Sequence, residues 1–320
     1  MFRKVLKKTV CAAALLLAGC GLTYTLTKPV VSGIKYSGDR PEKITIAIID
    51  KRAGEDTVFM KRISNLKTVD ITLEQFGNPI AFLAENLEAE LRARNIPATC
   101  VASGGEKGDI QLTVERFQII NRRVSAYTPW EAFHVFKGSV TSAAGTFPFH
   151  AYFFNGKWPK WSMKEVEEPC INIPLSIMIK EIATKINRLA IGAKAGDEEV
   201  ARLVKDINAN LDKEDNGPFW KVFELCATNN PAAMEPLKKC CASKDNFFRA
   251  CALSAVGQLG PQGQFDFLKK EFGTADEISK FMVLKSIGDL EDLQSKEFIS
   301  HVQYASDDDG IAVCKSLYAK

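Results

Sequence analysis

The 320 residues include 42 Lys and Arg against 39 Asp and Glu, and four of the basic residues fall within the first eight positions. The rest of the chain is therefore close to neutral, which excludes the basic surplus that nucleic acid or an anionic lipid surface would attract. A hydrophobic fraction of 46% with 25% charged residues is that of a folded globular protein, long enough for two domains with cores of their own.

The first segment reads as a leader. Arg3, Lys4, Lys7 and Lys8 make a basic start, and Val10 to Ala18 is an apolar run too short to span a bilayer. That is the pattern of a secretory signal peptide over residues 1–19. Its end, Leu17-Ala18-Gly19-Cys20, resembles the bacterial lipobox. The resemblance implies diacylation of Cys20, cleavage before it and acylation of the new amino terminus. Three acyl chains would hold the protein to a membrane permanently, where one holds only weakly. Gly21 rather than Asp follows the anchor, which in the enterobacterial sorting pattern implies the outer membrane, with the protein on its periplasmic side. No later stretch is apolar enough for a transmembrane helix, so the expected membrane contact is the lipid on Cys20 alone. Residues 20–40, rich in Thr, Gly, Ser, Lys and Pro, read as the lipidated cysteine followed by a flexible tether.

Residues 41–195 read as an α+β domain, an antiparallel sheet with two helices on one face. Ile44, Ile46 and Ile48 alternate along a first strand ending at Asp50. Asn78-Pro79 supplies an N-cap and a proline at the first helical position, and Ile80, Leu83, Ala84, Leu87 and Leu91 follow at helical spacing until Asn95-Ile96-Pro97. Ile110, Leu112 and Val114 make a half-buried strand whose alternation breaks near Arg116-Phe117, as at a bulge. Ala144-Gly145 reads as a hairpin turn between Phe133–Ala143 and Thr146–Asn155. A second helix opens at Asn172 and Pro174 and closes at Gly192. The strand ending Asp50-Lys51-Arg52, the helix Ala81 to Leu91 running into Arg94-Asn95-Ile96, and the strand Gly108 to Val114 resemble, in that order, the YajG-like bacterial lipoproteins over about residues 43–190. That resemblance implies an envelope location and no activity.

After the joint Gly192-Ala193-Lys194-Ala195-Gly196, residues 196–320 read as helix throughout. Arg249 to Leu259 aligns with Lys280 to Leu290 at an offset of 31, and Leu237-Lys238-Lys239 aligns with Leu268-Lys269-Lys270 at the same offset. A fixed helical period means stacked helix pairs that share a core. The pattern resembles short HEAT-like repeats, which implies that the helices containing Leu237, Leu268 and Ile299 line the inner, concave side. Lys238, Lys239, Lys269 and Lys270 would then place a basic strip on or beside that face.

Signals for chemistry are sparse. Histidine occurs only at 134, 150 and 301, and there is no Cys-x-x-Cys pair, so neither zinc-ligand spacing nor a triad arrangement is legible. Asp50-Lys51-Arg52 reads as a solvated strand end and Asp307-Asp308-Asp309-Gly310 as a helix start rather than a calcium loop. No catalytic residue, metal or cofactor is expected beyond the lipid. Cys100 and Cys170 are the two cysteines of the first domain beyond the anchor, and in an oxidising compartment they are expected to pair. Trp130, Trp158 and Trp161 crowd near Tyr127; folding over into a buried loop and presenting an interaction patch are both open to them. The expected function is that of a non-enzymatic envelope adaptor with a protein partner. A lipoprotein that binds and helps transport a lipid or other small molecule is the alternative, favoured by a deep apolar pocket within residues 41–195.

Overall fold

The chain enters the fold through β1 (Thr23–Thr25) and β2 (Tyr36–Ser37) and then lays down β3 (Ile44–Asp50). Short strands β4 (Met60–Ile63), β5 (Thr68–Asp70) and β6 (Thr72–Glu74) lead to helix α1 (Pro79–Ala93). Four strands complete the sheet: β7 (Ala98–Ser103), β8 (Ile110–Arg122), β9 (Trp130–Ser142) and β10 (Gly145–Lys157). This computed structural model describes residues 23–37, 42–63, 68–74, 76–103, 108–123, 128–157, 164–211, 217–260, 263–303 and 309–318. The signal peptide, Cys20, Tyr127, Trp158 and Trp161 lie outside the described residues.

The sheet runs β10-β9-β8-β3-β7, with β4 paired to the end of β8 and β5 to β4. It is mixed, not the antiparallel sheet expected from sequence. β3 runs parallel to both β7 and β8, and β4 parallel to β8, while β8, β9 and β10 form an antiparallel meander. The reason is α1, a crossover that returns the chain to the end where β3 began, which a hairpin cannot do. The chain then passes across β3 to reach β8. At Gly108 a Cβ would stand 2.7 Å from the Thr45 carbonyl, so only glycine clears the strand, and the Asp109 carboxylate next to it accepts the Thr45 N–H at 2.8 Å. The predicted bulge lies in β8 between Val114 and Arg116, and Gly145 (φ +129) stands at the predicted hairpin.

Helix α1 begins as read: Asn78 Oδ1 accepts the Ile80 N–H at 2.7 Å, and Asn95 (φ 69) terminates the helix in the left-handed region. Helix α2 (Ile173–Ile186) is lengthened by π-helical turns at Glu168–Asn172 and Asn187–Ile191 and closes at Gly192 with φ 81. It is buried almost all round, Lys180, Glu181 and Lys185 included, because sheet, α1 and the C-terminal helices cover different sides of it.

Residues 23–37 are not the flexible tether that their composition suggested. They form an ordered strap along α2. The Thr25 N–H donates to Glu167 (3.0 Å), Thr27 N–H to Asn172 (3.0 Å) and Val30 N–H to Ser176 (3.1 Å). Ser32 N–H then donates to Glu90 of α1 at 2.8 Å. Tyr24, Pro29, Ser32, Ile34 and Tyr36 are buried, Leu26 is half-buried, and the rest of the strap faces out. Acceptors on two helices thus replace the strand partner that an extended segment would otherwise need.

The helical region begins at β11 (Lys194–Ala195), which pairs with β2, and continues through α3 (Asp197–Asn208) and α4 (Gly217–Ala227). Then come α5 (Met234–Cys240), α6 (Asn246–Leu259), α7 (Phe265–Thr274), α8 (Glu277–Gly288), α9 (Leu293–His301) and α10 (Asp309–Tyr318). Helices α4, α6, α8 and α10 stack on one another as one layer, and α5, α7 and α9 cover it. The layering inverts the expectation from the HEAT-like pattern. Leu237, Leu268 and Ile299 are core residues, but their helices are the outer layer. The layer holding Leu253 and Leu284 lies inside because its other face packs on α2 and β10. Three ring contacts from β10 mark that seam: Phe153 on Phe223 at 5.6 Å, Phe154 on Phe281 at 5.4 Å and His150 on Tyr318 at 4.8 Å.

Candidate functional site

Two groups of side chains stand out, one sealed and one open. The sealed group lies where the sheet domain meets the helical layer. Lys185 Nζ of α2 is 2.8 Å from Glu181 and 2.6 Å from Asp289, and it also donates to the His150 carbonyl. Lys285 Nζ of α8 is 2.8 Å from the same Glu181 and 2.9 Å from Asp289. The Tyr318 hydroxyl donates to Asp289 at 2.9 Å. Two lysines and two carboxylates, each at most 1% exposed, thus neutralise one another. Burial alone would push the Asp289 carboxyl up, but Lys185 and Lys285 more than offset it and hold it at about 2. Burial likewise opposes the Lys285 charge, and Asp289 and Glu181 outweigh it, so this ammonium is held above its ordinary range. The group has no opening and acts as a joint.

A second buried ion pair fixes the strap. Arg94, fully buried, donates Nε to Glu90 (2.7 Å), Nη1 to Tyr36 Oη (3.0 Å) and Thr184 Oγ1 (2.8 Å), and Nη2 to the Lys180 carbonyl (3.0 Å). Tyr36 Oη donates onward to the Ala227 carbonyl of α4 at 2.7 Å. Strap, α1, α2 and α4 therefore share one network.

The open group is the outer helical layer. Lys239, Lys269 and Lys270 are exposed, and Lys238 is half-buried with Nζ 5.5 Å from the centre of the Phe267 ring. Lys269 Nζ stands 5.8 Å from the Phe265 ring centre. Lys238 of α5 thus reaches a ring of the adjacent helix α7, and Lys269 a ring of its own helix, while Lys239 and Lys270 face solvent on the same two helices. Beside them, a cleft of about 470 Å³ is lined by Val204, Ile207, Pro236, Lys239, Lys244 and Phe248, among others. It lies in the helical region and not within residues 41–195, where a deep apolar pocket would favour the transport alternative.

The remaining predicted positions separate. Trp130 is fully buried; its Nε1 donates to Tyr24 Oη at 3.1 Å and its ring packs edge-on to Tyr24. It braces the strap and belongs to no surface patch. Cys100 and Cys170 are not joined to each other. Cys100 lies on the edge strand β7, whereas Cys170 belongs to the turn packed on β9 and β10, with Asn155 Nδ2 of β10 donating to the adjacent Pro169 carbonyl at 2.6 Å. Four strand spacings, about 19 Å, separate those edges, far beyond disulfide reach. Burial pushes the Cys100 thiol up to about 12 and that of half-buried Cys240 up to about 11, which makes both poor nucleophiles. His134 is buried and His150 half-buried, and loss of solvent around each ring lowers them to about 3 and about 4 and holds them neutral. Asp50 and Arg52 form a two-point pair, 2.9 Å at each contact, that braces the end of β3. Among the described residues no group of three His, Cys, Asp or Glu comes together as a metal site.

No family model matches the chain, and no curated protein matches it. Among solved structures, a Xanthomonas campestris protein of the DUF330 family is similar over 51% of this chain and 91% of its own, at 11% identity and a TM-score of 0.33. Another, described as an uncharacterized protein, is similar over 52% of this chain and 97% of its own, at 7% identity and a TM-score of 0.32. Neither likeness is close enough to carry fold or function across.

Sequence reading missed the sealed joint. The signal for it was a lysine inside an apolar run, in Phe281-Met282-Val283-Leu284-Lys285-Ser286-Ile287, since a lysine there needs a buried partner. Which partner it meets is a matter of tertiary packing.

Proposed function

We propose that the protein is a non-enzymatic envelope lipoprotein, held by lipid on Cys20 at the outer membrane, that serves as an adaptor for a protein partner. The observation that supports this most is the layering of the helices. The inner layer is spent on the sheet domain, so α5, α7 and α9 are the face of the array left to solvent, and α5 and α7 carry the lysines. The lipobox resemblance, the YajG-like order of elements and the helical period favour the same reading. The docking surface is the lysine row, which suits an acidic protein surface.

The test replaces Lys238, Lys239, Lys269 and Lys270 together by Glu and compares proteins captured from crosslinked envelopes. Folding is expected to survive, since exposed charges move stability little, while capture of the main partner is lost. Unchanged capture would refute the lysine face. In parallel, Cys20→Ser is expected to release the protein on mild washing, and retention equal to the parent would refute the anchor.

The cleft of about 470 Å³ favours the second reading, a carrier of an amphipathic molecule whose anionic head would meet Lys239 and Lys244. Mass spectrometry of the natively extracted protein tests it; a co-purifying lipid that is lost in Phe248→Arg supports the carrier.

A further inference from the structure

The strap decides where a lipid on Cys20 would put the membrane. This inference rests on the anchor proposed above. The strap is fixed to the fold from Thr23 onward, where β1 pairs with β6 and the Thr25 N–H is held by Glu167. Three Cα steps separate Cys20 from Thr23, about 11 Å at full stretch. An anchor this close leaves no arm.

Several elements end at the same place. Tyr24 Oη receives Arg62 Nη2 at 2.9 Å as well as the indole of Trp130, so the end of β4 and the start of β9 both lie against β1. Ile63, next along β4, is 39% exposed and stands in register with Arg122 at the end of β8. The opposite end of the molecule follows from α2 and α8. Lys185 is 18 residues beyond Glu167, about 27 Å along a helix. Helix α8 runs from Phe281, beside Phe154, to Asp289, beside Lys185. The turn after it, and Leu293 at the start of α9 with 82% exposure, therefore lie at the far end.

We infer that the protein meets the bilayer directly through the end formed by β1, β6 and the termini of β4 and β8, with Ile63 at the headgroups and Leu293 at the distal tip. Its partner is then a protein that itself sits at or beside the same membrane, because the outer helices cannot reach further than the length of this one body. The occupant of the proximal end is the lipid surface; a protein seated there instead is an outcome of the test.

The experiment uses the full lipidated protein in phosphatidylethanolamine–phosphatidylglycerol vesicles. A nitroxide is placed at Ile63→Cys or at Leu293→Cys, against the unlabelled-site parent as background, and its relaxation by nickel chelated on the lipid headgroups is measured. Strong relaxation at 63 and little at 293 is expected. A 12-residue Gly-Ser insertion between Leu22 and Thr23 is expected to abolish the effect at 63 while flotation with vesicles persists. Two equally weak labels on a protein that floats would overturn the proximal face and leave the anchor standing. Strong relaxation at 63 that survives the insertion would also overturn it, since something other than the short leash would then hold that face down. Failure to float would overturn anchor and orientation together.

Discussion

Asp289 is the residue on which the two halves of the molecule converge, holding a lysine from α2, a lysine from the helix it caps and the Tyr318 hydroxyl. Removing one member of a buried ion group leaves the others uncompensated, at about 3–5 kcal/mol. Asp289→Asn is therefore expected to destabilise the protein by about that amount at pH 7, read from urea unfolding. The pH dependence has a definite sign. With its carboxyl held at about 2, below the usual carboxylate range, Asp289 contributes stability above about pH 4 that is lost as pH falls toward 2. The difference between parent and Asp289→Asn should shrink across that window. The histidines act over a different one. His134, buried on β9 and held at about 3, refuses the proton that the unfolded chain accepts below about pH 6.5, so stability falls as pH drops from there. One such residue contributes up to about 1.4 kcal/mol per pH unit. His134→Leu should flatten the fall in melting temperature between pH 6.5 and 4.5; an unchanged slope would remove His134 from the account.

At the scale of elements, the 31-residue offset has a physical cause. Gly257 and Gly288 are equivalent in the repeat, and both are points of close approach. A Cβ on Gly257 would come within 3.0 Å of Ser286 on α8, and one on Gly288 within 3.0 Å of the Tyr318 ring on α10. The gap at Gly257 is used, its N–H donating to Ser286 Oγ at 2.7 Å. Gly257→Ala raises helix propensity yet forces α6 from α8, and a net loss of about 1–3 kcal/mol is expected, measured by chemical denaturation. A gain in stability would show that the layer yields there. The repeat was legible in sequence because it is printed twice along the chain. Helix α1 was legible for a similar reason, since Asn78, Pro79, Asn95 and Pro97 signal its ends locally. The direction of β7 beside β3 was not legible, because alternation fixes which face is buried and says nothing of which strand lies alongside. The strap was misread as a tether because its acceptors, Glu167, Asn172 and Ser176, stand 142 to 146 residues away. For the proposed interaction site, the lysine rows were legible as a pattern, but whether they faced out depended on what covers the inner helices.

Over the whole molecule, sheet domain and helical layer are built as one body. Phe153, Phe154, Lys185 and most of α2 lie under the helices, and a chain ending at residue 195 would expose them all. Such a truncation is expected to aggregate or to lose near-ultraviolet dichroism, while the full chain unfolds in a single transition by two probes. A soluble, cooperatively folding fragment would show that the halves are separable. On the proposed adaptor reading, a rigid body would pass the position of an anchor on to its outer face without a hinge.

The strap adds a constraint in time. The groups that receive it are synthesised long after it: Glu167 lies 142 residues on, and the Ala227 carbonyl that takes the Tyr36 hydroxyl lies 191 residues on. On the anchored reading, β6 and Glu90 cross the inner membrane early, but the strap cannot dock in full until Glu167 and then Ala227 have followed. Once docked, it leaves Cys20 three residues from a folded surface. On the anchored reading, cleavage and acylation at Cys20 by membrane-embedded enzymes belong to the earlier interval, when the cysteine is free to enter a site within the bilayer. Folding then closes that interval, so the order of maturation, lipid first and fold second, is written into the distance along the chain between donor and acceptor.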